Sequence, residues 1–289
     1  MNLIQELKYN FQKQDNGLIK LILVNVIVFL VIGVIRIVSA ITENDIVYII
    51  AQRELYLPAP FFEFIERPWT LVTYFFSQED ILHILFNMLM LYWFGRIITE
   101  HIGNRRLINL YILGGIMAGV FYLLMFNFIP FFIKRTPFPG LIGSSGSVFA
   151  IVVAAATLLP NYTVFMIFLG PVRIVYIAAF YIVVSFLGTI GQNSGGNIAH
   201  LGGALIGFIY IRQLQRGMDI GQPINAVAGW LKKLRKPRMK ISYINKDKLY
   251  HDSHPSQKEI DDILDKISRS GYESLSKDEK QKLFKASQK

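Results

Sequence analysis

Two stretches of this 289-residue chain, residues 141–170 and 174–192, carry no charged side chain at all. Runs of that length are rare in soluble domains, whereas a helix crossing hydrocarbon needs about 20 consecutive apolar residues. The rest of the composition agrees: 53% of residues are hydrophobic and 17% are charged, with the charge concentrated in the last quarter. No cysteine is present, which excludes disulfides, thiolate metal sites and a cysteine nucleophile. The first residues are polar for too long to form a secretory signal, so residues 18–38 read as a retained first span.

Apolar segments place six spans near residues 18–38, 81–98, 107–127, 143–159, 172–189 and 197–211. Between the first two, residues 41–74 mix aromatic and charged side chains, as a segment lying at the lipid interface would. The expected fold is an all-α membrane protein, a six-transmembrane-helix bundle with a short cytoplasmic helical tail. Its parts are a cytoplasmic segment (1–17), the membrane domain (18–215), and a basic linker with the tail (216–289).

Lys and Arg set the orientation. Lys8, Lys13, Lys20, Arg96, Arg105, Arg106, Arg173, Arg212 and Arg216 fall on one side, with Arg53, Arg67, Lys134 and Arg135 opposite and Arg36 near the boundary. The bias puts both termini in the cytoplasm, and a bacterial cell membrane is the expected host. The net charge of +10 raises the question of nucleic acid, but six basic residues crowd into positions 231–240, just after the last span. That placement suits an anchor on anionic lipid headgroups, and no nucleic-acid partner is expected. In the tail, Ile260, Ile263, Leu264 and Ile267 recur at helical spacing, Gly271 would end that helix, and Ser276 with Glu279 resembles a capping box. So small an element would dock on a partner that the sequence does not identify.

Polar side chains at membrane depth need a reason, because lipid offers them no hydrogen-bond partner. In the derived orientation His83, Asn87, Ser145 and His200 all lie towards the outer end of spans two, four and six. His83 and Asn87 share a helix face at i and i+4. Small-residue rows, Gly146–Ala150–Ala154 and Ala199–Gly203–Gly207, would let the fourth and sixth helices approach closely. That approach would bring the Ser145 hydroxyl to His200, with Phe149 packed on the imidazole. Glycines flank the serine in GSSG (Gly143 to Gly146), and a helix N-terminus there offers free N–H groups to a developing oxyanion. The only acidic side chain close by, Glu100, sits at the far end of the second span, so a Ser–His dyad is expected rather than a triad. Ser144 and Ser147 read as packing residues. Gly188, Gly191, Gly195 and Gly196 make the loop between spans five and six a candidate lid.

The motifs HILFN (83–87), GSSG (143–146) and AHLGGALIG (199–207), in this order and on these spans, resemble the rhomboid family of intramembrane serine proteases. The resemblance covers about residues 18–212. It implies that Ser145 is the nucleophile and His200 the general base and then acid. Asn87 and His83 would stabilise the oxyanion, Phe149 would lie against the histidine, and Gly203 and Gly207 would be close-packing glycines. Asn197 resembles a polar position of some members. The chain departs from the family at Trp69-Thr70, where a Trp-Arg pair is frequent, and at Gln78, where many members carry histidine. The implied substrates are transmembrane proteins, and no metal or organic cofactor is implied. The competing readings are a catalytically inactive rhomboid-like protein that binds clients, and a solute transporter, against which the lack of repeated halves argues.

Overall fold

The structure, a computed structural model, describes residues 16–135, 140–166, 170–235 and 255–287. Helices occupy all six segments marked in the sequence: α1 (Gly17–Thr42), α5 (Ile81–Ile102), α6 (Asn104–Phe128), α8 (Ser145–Leu158), α9 (Ile174–Gly188) and α10 (Ser194–Gln215). Of these, α1, α5 and α6 are long and apolar enough to cross a membrane, while α8 and α9 are shorter apolar helices. Short helices α2 (Ile46–Leu55), α3 (Phe61–Glu66) and α4 (Thr70–Thr73) fill the first connection, and α7 (Pro130–Ile133) follows α6. The fifth span starts two residues later than expected. Gly170–Arg173 (β2) pairs antiparallel with Thr163–Met166 (β1), and the hairpin holds this stretch extended before α9 can begin.

The surface is inverted relative to a soluble bundle. On α1, Ile27, Leu30, Val31, Val34, Ile37 and Val38 are exposed, as are Phe180, Val183, Val184, Phe186 and Leu187 on α9. Apolar belts of this size are an aggregation hazard in water and the required face in lipid.

Burial centres on α8, where every residue from Ser145 to Ala156 except Phe149 is buried. Helices α5, α6, α9 and α10 surround it. The tightest approach is to α10: a Cβ added to Gly203 would sit 2.0 Å from the Gly146 carbonyl oxygen, and one added to Gly207 would sit 2.3 Å from the Ala150 oxygen. The α10 row thus meets the backbone of α8, because only hydrogen at Gly203 and Gly207 lets backbone meet backbone, while the side-chain positions of Gly146 and Ala150 turn to Ala118 and Gly114 of α6. Gly202 turns the other way, onto α6, where its Cβ would meet Phe121 Cβ at 2.6 Å. Consecutive glycines therefore let α10 approach two neighbours at once.

The first connection is braced without the Trp-Arg pair frequent in the family. Arg67, two residues earlier, is buried instead; its guanidinium donates to the Arg53 carbonyl at 2.6 Å and pairs with Glu63 at 3.0 Å. Trp69 Nε1 donates to the Glu54 carbonyl at 3.2 Å. Tyr48 and Tyr56 both donate to the Glu79 carboxylate. Burial first, and then that carboxylate, pushes the Tyr48 phenol up to about 12, and the Tyr56 phenol is raised as well, so both remain donors at neutral pH.

Helix α11 (Gln222–Arg235) carries the first part of the basic cluster, and the remainder lies outside the described residues. The chain divides into two compact units at Lys233/Leu234. In the second unit, α12 (Gln257–Ser270) ends at Gly271, whose φ of +79° suits glycine. A capping box at Ser256–Glu259 starts it, and a second at Ser276–Glu279 starts α13 (Lys277–Ala286). Each capping glutamate also pairs with a lysine of the other helix, Glu259 with Lys282 at 2.6 Å and Glu279 with Lys266 at 2.9 Å. Ile263 and Leu275 are buried within this unit.

Two outcomes follow from this packing. Gly203→Val should destabilise the membrane unit by about 3 kcal/mol or more, since backbone rather than a yielding side chain meets the new methyls; thermal unfolding in detergent measures it, and an unchanged midpoint would refute the contact. The lysine partners first, then the serine caps, hold both Glu259 and Glu279 at about 2, below the ordinary 4.5. Their support is complete above pH ~4.5 and is lost as pH falls through ~2. Amide chemical shifts of Ile263 and Ile267 in the full chain should therefore move towards coil values across that window and stay constant from pH 5 to 7.

Candidate active site

Helix α8 begins at Ser145 itself. Its N-cap, Ser144, makes no side-chain capping bond, and the opening N–H groups of a helix have no partner within it. The serine hydroxyl thus stands among unpaired backbone donors. Gly143 leads into this turn with φ +123°, and a Cβ there would lie 2.9 Å from His83 Cε1. Glycine is required twice over, by the backbone conformation and by the ring packed against it. The approach of α10 onto Gly146 then delivers the partner: His200 Nε2 lies 2.8 Å from Ser145 Oγ.

Three contacts fix the imidazole. Phe149, one turn after the serine, stacks on it with ring centres 4.0 Å apart and planes 9° from parallel. Tyr181 of α9 meets Phe149 edge-on at 5.7 Å. On the far side, His200 Nδ1 lies 3.1 Å from Ser185 Oγ, also on α9. Neutral imidazole has one donor nitrogen and one acceptor nitrogen. With the proton on Nδ1 donated to Ser185, Nε2 is left to accept from Ser145, which is the tautomer a general base needs. Glu100 is engaged elsewhere, by Arg96 at 2.7 Å.

Asn87, buried on α5, donates through Nδ2 to Gln78 Oε1 at 2.8 Å. Gln78 Nε2 in turn donates to Asn25 Oδ1 of α1 at 3.3 Å. Asn87 and Phe149 also line an apolar cavity of about 220 Å³ with Met90, Val152, Ala178 and Tyr181.

All the site residues marked in the sequence thus gather at one end of α8, with Gly203 and Gly207 as the contacts that hold α10 there. Ser185, Gln78 and Asn25 were missed as partners. A lone serine in α9 and a lone amide in α1 are the signal that could have found them, since neither belongs in lipid without a bond. Asn197 does not face the serine; its Nδ2 donates to the Gly188 and Asn193 carbonyls, both at 2.9 Å. The candidate lid is shorter than its four glycines suggested. Asn193 caps α10 by accepting from Gly196 N–H at 3.3 Å, so Gly195 and Gly196 form its first turn and only residues 189–193 join the two helices.

A model of the Rhomboid domain matches residues 66–216, just over half the chain, and a model of a family of unknown function (DUF6576) matches residues 246–289. RHOMBOID-like protein 12, mitochondrial, of Arabidopsis thaliana is 34% identical over 161 residues, an overlap of 52% of this chain and 48% of that protein. The chain therefore spans about half the length of that relative. A mitochondrial relative gives the bacterial host expected from the sequence no support. Motifs, apolar helices and the matched domain converge on one statement: this chain is an integral membrane protein of the rhomboid family.

Proposed function

We propose that the protein is an intramembrane serine protease that cuts membrane-anchored proteins through a Ser145–His200 dyad. The observation that carries this reading is the 2.8 Å contact between Ser145 Oγ and His200 Nε2, made between two apolar helices at an uncapped helix N-terminus. In this reading all six helices span the bilayer, both termini are cytoplasmic, and the site lies towards the opposite face. The lysine and arginine bias supports that orientation.

The chemistry is acyl transfer. Ser145 Oγ attacks the scissile carbonyl carbon while its proton passes to His200 Nε2. The carbonyl oxygen, now negative, is met by the Ser145 N–H, the second Nδ2 hydrogen of Asn87 and the His83 ring. As the tetrahedral species collapses, Nε2 returns the proton to the leaving amine. An ester on Ser145 remains, which a water activated by the same nitrogen hydrolyses. Through these steps Ser185 accepts from Nδ1–H and keeps the ring in register. The apolar cavity beside Asn87 would take a substrate side chain, and the exposed apolar belts would face lipid and the substrate's membrane segment.

A fluorophosphonate probe should label the wild-type chain, and Ser145→Ala and His200→Ala should each abolish labelling. A client-binding protein without catalysis would leave the wild type unlabelled. Ser185→Ala, which removes the acceptor and adds no bulk, should lower kcat about fivefold to tenfold, the worth of a hydrogen bond of about 1 kcal/mol, with KM unchanged. Equal rates for the two proteins would remove Ser185 from the mechanism.

A further inference from the structure

Asn25 is fully buried in α1, a helix otherwise apolar through its middle, and lies N-terminal to the residues that the Rhomboid domain matches. Its Nδ2 donates to the Leu21 carbonyl and to Tyr111 OH, both at 2.9 Å, and the Tyr111 hydroxyl donates onward to the Phe75 carbonyl at 2.9 Å. A backbone carbonyl can only accept. The Tyr111 hydroxyl also lies 3.2 Å from Asn25 Oδ1 and can partner either end of the amide, so it is the Leu21 carbonyl that fixes Nδ2 on its side and leaves Oδ1 to face Gln78.

That choice propagates. Gln78 meets an acceptor at Asn25 and so presents Nε2 there, at 3.3 Å. Its Oε1 is left facing Asn87, which must answer with Nδ2, at 2.8 Å. An amide can turn over at little steric cost, since its oxygen and nitrogen differ by hydrogens. Here each flip would set like against like in a buried place, where an unmet polar group costs most. Three bonds run in one direction, from Asn87 through Gln78 and Asn25 to the Leu21 carbonyl.

We infer that Asn25 and Gln78 are positioning residues for the oxyanion: α1 fixes the polarity of the Asn87 amide so that a nitrogen, not an oxygen, meets the developing negative charge. This rests on the hydrolase reading above. Asn25 touches neither substrate nor reacting atoms and acts only through Gln78 and Asn87.

The test is a double-mutant cycle in the full chain, with kcat and KM for a transmembrane substrate reconstituted in phosphatidylcholine vesicles. Asn25→Leu should lower kcat about 10- to 100-fold with KM unchanged, below the full loss of an oxyanion donor because the freed amide still samples the right orientation. In an Asn87→Ala background the same change should cost less than twofold, since no amide remains to be oriented. Gln78→Met, which keeps length and removes both polar atoms, should behave in the same way and serves if Asn25→Leu fails to fold. Full additivity in the Asn87→Ala background, or a loss confined to KM, would overturn the relay while the protease reading stood. No cleavage by the wild type would remove the protease reading and this inference together.

Discussion

The membrane unit depends on one backbone contact, the seating of Gly203 against the Gly146 carbonyl. Without a hydrophobic drive between helices in lipid, association rests on close van der Waals fit; a side chain at Gly203 would hold α10 off α8, and one at Gly146 would meet Ala118 of α6 at 2.5 Å. The Ser145–His200 contact is a by-product of that fit. His200 stands one turn before Gly203 and Ser145 directly before Gly146, so the same approach that packs the helices closes a 2.8 Å bond between them. Stability and chemistry are coupled at this seam. Loosening the glycines should move the imidazole before it unfolds the protein.

Around this seam the polar groups form two buried systems. One holds the base: Ser145, His200 and Ser185, with Phe149 and Tyr181 limiting ring motion. The other holds the proposed oxyanion amide, running back through Gln78 to α1. Each ends on groups whose hydrogen-bonding sense is fixed or adaptable as required. A backbone carbonyl terminates the amide chain, and a hydroxyl that can rotate terminates the histidine. In the proposed mechanism the first must not flip, whereas the second has to accommodate an imidazole that gains and loses a proton.

Features written in local spacing were legible in the sequence. The six apolar segments, the i and i+4 pair His83 and Asn87, the two small-residue rows and the second capping box are such features, and the helices and contacts lie where they point. Features that join distant positions were not. Asn25 and Gln78 are 53 residues apart and neither belongs to a motif, so only the folded chain brings them together. Ser185 reads as one more small residue until α9 is packed beside α10. The glycine loop misled because composition suggests mobility, while Asn193 uses the glycines to start a helix. Arg67 stands two residues before the tryptophan, outside the Trp-Arg pair that the resemblance marks, so nothing in the spacing pointed to it.

Helix α8 has 14 residues, about 21 Å of rise against a hydrocarbon layer of roughly 30 Å. The shortfall is filled by extended chain, and chain without a helical ladder survives among apolar neighbours only if something else takes its amides. Leu141 exchanges both bonds with Leu57, and Gly143 N–H reaches the Tyr74 carbonyl at 3.0 Å. The first connection thus serves as a surrogate strand for the descending segment, lowering it from the rim to the level where the helix starts. If the proposed function holds, a hydroxyl placed this way is recessed without being sealed: a bulky soluble polypeptide would be held off by depth, while a water molecule or an unwound stretch of membrane helix could follow the same descent.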